Sequence, residues 1–196
     1  MKKLDPLMRT SFVIIAALLG LILVGSSNSF STASASGSDP IYMKIPGIDG
    51  DVAAVGHEKE IELNSFQFGV SNPVTSSSGG GGGAGKVSIS DIAITKVMDK
   101  SSPLLFGKTV TGAHIPQVDI YFVKTSGSGG LQTYAHYILK QVTLSSYSVS
   151  SGGDRPSESV SLNFAQIQFE FSSSNPDGTL GSPITSGWDI ALNKAL

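Results

Sequence analysis

The first residues in this chain whose types and spacing could do chemistry are Gly80, Gly85 and Lys86, which fit the pattern G-x-x-x-x-G-K. In nucleotide-binding proteins such a run cradles phosphates, and the residue after the lysine is Ser or Thr, whose hydroxyl holds magnesium. Val87 stands there instead. The context differs too. A phosphate loop leads from a strand into a helix, whereas Val87 and Ile89, then Ile92 and Ile94, alternate with polar residues as a half-buried strand does. The pattern predicts a glycine loop leading into a strand, with no nucleotide.

The other reactive residue types are equally uncommitted. His57, His114 and His136 fall in a loop, ahead of a proline and within a strand pattern, with no His-x-x-x-His pairing that would suggest a metal. Asp49-Gly50-Asp51 runs into Val52-Ala53-Ala54, which supplies too few oxygens for a calcium loop, so residues 48–60 are expected to be a solvated connection. Serine is abundant, but no Gly-x-Ser-x-Gly elbow occurs, and Ser126 to Gly130 suits a hairpin loop. The carboxylates are scattered through turns and strand ends, so they nominate no glycosidase pair. Trp188, the only tryptophan, is expected to dock the C-terminal tail rather than to form a sugar platform. No catalytic residue, cofactor or metal is predicted.

The elements that would position any site are strands. Ile41, Met43 and Ile45 alternate with polar neighbours up to the Pro46-Gly47 turn. The apolar phase then slips by one residue in four places: between Leu63 and Phe66, Ile89 and Ile92, Leu144 and Tyr147, and Phe164 and Ile167. An extra residue that keeps both halves on one core is what a β-bulge supplies, and bulges bend strands and increase their twist. The expected fold is therefore mainly all-β, a small bulged antiparallel barrel, closed or nearly closed. One short flanking helix is expected, with Ser102 as its N-cap, Pro103 at its first position, Leu104, Leu105 and Phe106 buried, and Gly112 as its stop. Val118, Ile120 and Phe122 form a further strand, and Ser126 to Gly130 turns it toward Tyr134, His136 and Ile138. Asn175 to Gly178 reads as a late turn.

At the N-terminus, Lys2, Lys3 and Arg9 precede the 14-residue apolar run Phe12 to Gly25, and a serine-rich stretch leads to Ala33-Ser34-Ala35, a small-x-small cleavage pattern. The run falls short of the roughly 20 residues that cross a bilayer. Residues 1–35 are thus expected to be a signal peptide removed on export, rather than an uncleaved anchor, leaving 36–196 as one barrel domain. There is no cysteine to carry a lipid or a disulfide. Removing 1–35 takes three of the 13 basic residues and one of the 15 acidic ones, so the remainder has a net charge of −4. That balance does not suit nucleic acid or an anionic membrane.

A set of blocks spread along the chain resembles the Hcp family (hemolysin-coregulated protein), the tube subunit of bacterial type VI secretion systems. The blocks are Tyr42 to Ile45, Gly47 to Gly50, His57 to Leu63, Phe68 to Ser71, Gly79 to Val87, Asp99 to Pro103, Gly152 to Pro156, Glu158 to Phe164, Asp177-Gly178 and Gly187 to Ile190. The resemblance implies a small β-barrel with a flanking helix and hexameric rings that stack into a tube, with no catalytic residues. It also implies a cytoplasmic start without a signal peptide, from which this chain departs. Either the start belongs to a cytoplasmic protein secreted by such a machine, or a ring-forming module works outside the cytoplasm. The competing readings are a secreted monomeric lectin-like barrel and an extracytoplasmic carrier of protein cargo.

The segment Asn72 to Gly85 has too few apolar groups to order itself. Its expected role is to become ordered against a neighbouring ring, at an entropic cost of about 1 kcal/mol or more per residue fixed. The residues assigned to that stacking contact are Pro73, Gly79, Gly80, Gly81, Gly82, Gly83 and Lys86. If export and cleavage occur as expected, the intact mass of the exported protein will correspond to a chain starting near Ser36; a full-length mass would contradict cleavage.

Overall fold

The computed structural model describes residues 39–72, 74–75, 83–84, 87–127 and 129–196. The alternating stretches become antiparallel strands. The first group is β1 (Ile41–Lys44), β2 (Ile61–Leu63), β3 (Ser65–Gln67), β4 (Val70–Ser71), β5 (Val74–Thr75), β6 (Gly83–Ala84), β7 (Ser88–Ile89) and β8 (Ile92–Val97). After the helix α1 (Ser102–Thr111) come β9 (Ile115–Thr125), β10 (Leu131–Ser150), β11 (Ser157–Asn163), β12 (Gln166–Phe171), β13 (Ile184–Asp189) and β14 (Lys194–Ala195).

The 20-residue strand β10 organises the fold. Its first half lies between β9 and β12, in the sheet order β2-β1-β9-β10-β12-β13-β14. Beyond Val142 it leaves β9 and continues beside β11, in the order β10-β11-β8-β3. Gln141, with φ of 54°, and a bulge between Leu144 and Ser146 turn this corner. Its partner turns there too: β11 and β12 form one bent strand, and Ala165 at the bend donates its N–H to the Lys140 carbonyl.

The slips in apolar phase thus mark places where the chain changes direction or sheet. Only the slip at Leu144 to Tyr147 is a bulge inside one strand. At Asn64 the chain passes from β2, paired with β1, to β3, paired with β8, and the Asn64 N–H donates to the Thr95 carbonyl at 2.7 Å. This corner is a kink rather than a shared ladder, so the strands do not close into a continuous hydrogen-bonded barrel. The expected all-β class holds, with two sheets joined at bent corners. Between them lies the core of Met43, Ile61, Ile92, Ile94, Ile120, Leu139, Val160 and Leu162, all essentially inaccessible.

Two local expectations change. Residues 48–60 are not simply a solvated connection, because Ile48, His57 and Glu60 are buried and Gly50 packs against the backbone of Glu60. The helix is capped at Ser101 rather than Ser102, with Pro103 in its first turn and Gly112, in the left-handed region at φ 60°, ending it. Of its three consecutive apolar residues only Leu105 is buried; Leu104 and Phe106 face solvent. Consecutive helical residues point about 100° apart, so one face cannot take all three.

A methyl group added at Gly50 would stand 2.2 Å from the Glu60 carbonyl oxygen, so backbone must move to admit it. Gly50→Ala is expected to cost at least about 2 kcal/mol of folding stability, measured by urea denaturation. A neutral result would show that the 48–60 segment yields freely.

Candidate assembly site

The helix is fastened by charge. Lys96, on β8, is fully buried, and its ammonium donates to Asp99 Oδ1 at 2.8 Å, Glu158 Oε2 at 2.8 Å, the Val97 carbonyl at 2.9 Å and Ser102 Oγ at 3.2 Å. Glu158 is also buried, and its other oxygen accepts from the Tyr147 hydroxyl at 2.7 Å. Asp99 in turn accepts from the Ser101 N–H and hydroxyl at the start of α1. Burial pushes the Asp99 carboxyl up, but the Lys96 ammonium and the Ser101 donors outweigh it and hold the carboxyl below its ordinary value. Burial, then the bond to Glu158, pushes the Tyr147 phenol up to about 12. One cation thereby joins β8, β11 and the first turn of α1. Lys96 belongs to no recognisable motif, yet alternation marks it: Lys96 continues the inward series Ile92, Ile94, and Glu158 precedes Val160 and Leu162 on the inward face.

So fastened, α1 presents Pro103, Phe106 and Val110 to solvent, with the half-exposed Gly107 between them. That is an i, i+3, i+4, i+7 stripe. Phe106 also meets Tyr147 edge-on, with ring centroids 5.9 Å apart, beside a cleft formed with Met98 and Val149.

The far half of β10 faces a second apolar feature. Phe68, Val70 and Ile89 lie across from Tyr137, Phe169 and Trp188, leaving an open cavity of about 540 Å³. The short pairs β4–β7 and β5–β6 extend from this region as an arm, with Val70 opposite Ile89 and Thr75 opposite Gly83. Of the residues assigned to stacking, Gly83 lies in β6; Pro73, Gly79, Gly80, Gly81, Gly82 and Lys86 lie outside the described residues.

His57 and His136 both pack on Tyr121 of the first sheet, whereas His114 is exposed between α1 and β9. His57 Nδ1 lies 2.7 Å from Glu60, and its ring sits against Tyr42 and Tyr121. His136 stacks on Tyr121 at 4.4 Å and reaches Asp119 at 3.0 Å. Burial, then the charges of Asp119 and Glu60, pushes the Tyr121 phenol up to about 12. Among the described residues no three His, Cys, Asp or Glu side chains converge as metal ligands.

What these features define is a β-rich module with a buried charge cluster inside and apolar side chains left exposed on α1 and β4. A family profile described as "Type VI secretion system effector, Hcp" matches residues 42–171. The chain belongs to the Hcp family, the tube proteins of type VI secretion. It is 37% identical over 156 residues to "Protein hcp1" of Pseudomonas aeruginosa, covering 78% of this chain and 96% of that protein. It is 27% identical over 122 residues to the "Major exported protein" of the same organism, covering 62% and 65%. Among solved structures, a "type six secretion system protein" superposes with a TM-score of 0.75 at 29% identity, covering 81% of this chain and all of that one. Hcp1 from Salmonella typhimurium superposes with a TM-score of 0.66 at 29% identity, covering 80% and 98%.

Removing the Lys96 charge leaves Glu158 and Asp99 buried without their cation, so Lys96→Met is expected to cost about 3–5 kcal/mol at neutral pH by urea denaturation. Because the Asp99 carboxyl is held below its ordinary 3.8, its contribution is present above that value and is lost as pH falls through its lower folded value. Wild-type stability should therefore fall below about pH 4, and Asp99→Asn should flatten that fall. An unchanged acid slope would remove Asp99 from the latch.

Proposed function

We propose that this chain is an exported building block: residues 1–35 direct it out of the cytoplasm and are removed, and the domain that follows assembles into hexameric rings that stack into a tube. The observation that carries this reading is family membership over residues 42–171, on a fold that leaves Val70, Phe106 and Val110 exposed. Its role is structural and not enzymatic, which agrees with the internal pairing of Lys96, Glu158, His57 and His136. Export is supported by the charged and apolar start of the chain and by a relative named as an exported protein.

In the assembled tube the arm carries the contact between rings. Its strands β5 and β6 set Thr75 opposite Gly83. Pro73, Gly79 to Gly83 and Lys86 are the residues we assign to stacking.

Light scattering should return six times the subunit mass, and electron microscopy should show rings and stacked tubes. Deleting Gly79 to Gly83 should keep the six-subunit species and reduce tube length; full-length tubes in the deletion would place stacking elsewhere, and a monomer at every concentration would refute the ring.

A further inference from the structure

The apolar stripe of α1 faces the wrong way for a helix that packs on its own core. A surface helix ordinarily turns its i, i+3, i+4, i+7 residues inward. Here Leu105 alone enters the core, the latch through Lys96 supplies the remaining hold, and Pro103, Phe106, Gly107 and Val110 form the outward ridge. Phe106 is 53% exposed and Val110 65%. Gly107 leaves room for close approach, since none of the described residues lies within 4 Å of where its side chain would begin.

The same chain carries a hollow of the complementary kind. The cavity bounded by Phe68, Val70, Ile89, Tyr137, Phe169 and Trp188 is concave, mainly apolar and, among the described residues, lined by no charged side chain, and at about 540 Å³ it falls within the usual size of a binding site. Val70, at its edge, is 58% exposed. Ridge and hollow lie apart on the molecule: Tyr137 borders the hollow and Tyr147 borders the ridge, ten residues apart on either side of the bend in β10, and the two share no lining residue.

We infer that the α1 ridge of one copy docks in the apolar hollow of the next. Helical ridges with anchors at this spacing bind apolar grooves, and an uncharged ridge meets an uncharged groove without stranding an ion. Because the two patches differ, each copy offers one of each, which is the head-to-tail contact that closes a ring. The inference rests on the self-assembling reading above and names its contact; it is separate from the arm, which acts between rings.

The protein has no cysteine, so an engineered pair reports only the contact tested. In the full chain carrying Val70→Cys and Val110→Cys, mild oxidation should give a ladder of covalent oligomers ending at the ring, while either single variant stays uncross-linked. Cross-linked dimers from Val110→Cys alone would mean that ridge meets ridge, and would overturn the inference. Rings by light scattering with no ladder in the double variant would place the contact elsewhere and leave the ring reading intact. A monomer by light scattering would remove both.

Discussion

The buried ammonium of Lys96 is the interaction on which the orientation of α1 depends. Its hydrogen bonds run to a neighbouring carbonyl, to two carboxylates on different segments and to the first residue of α1. An isolated charge at that depth would be expensive, and only complete pairing makes it tolerable. The consequence is directional. Hydrogen bonds at fixed lengths set the rotation of α1 about its axis in a way that a single buried leucine could not, and that rotation decides which residues face out. Polar interactions in the interior thus specify an apolar pattern on the exterior.

Much of the fold was legible in alternation. The period-2 runs at Ile41 to Ile45, Ile92 to Ile94 and Val160 to Phe164 became strands with the anticipated faces inward, and the glycine-rich turn between β9 and β10 fell where expected. The phase slips were legible as positions but not as geometry. A bulge and a kink between two sheets leave the same one-residue offset, and only the partner of each strand tells them apart. At Leu144 the partner stays β11, whereas at Asn64 it changes from β1 to β8. The offsets alone therefore do not say whether a nearly closed barrel closes fully.

The candidate site was less legible. The glycine run announces itself by composition, but Pro73, Gly79 to Gly82 and Lys86 lie outside the described residues. The outward ridge was hidden by the consecutive Leu104, Leu105 and Phe106, which look like core in a linear reading and point in three directions on a helix. Lys96 was hidden by its type, since lysine is almost never fully buried unless paired. Its place in an inward series, with an acid at the matching position of the neighbouring strand, is the signal that reveals it.

The position of β1 constrains how the molecule can come into being. This strand stands at the start of the described chain, yet it lies inside a sheet, flanked by β2 and by β9, where Ile41 faces Phe122 about 80 residues later. Half of its hydrogen-bonding capacity is therefore unsatisfied until two-thirds of the chain has been made. Contacts of such long sequence separation make folding slow, because loop closure precedes any reward. During synthesis the domain therefore lingers with β1 paired on at most one side, its other edge open until β9 has emerged.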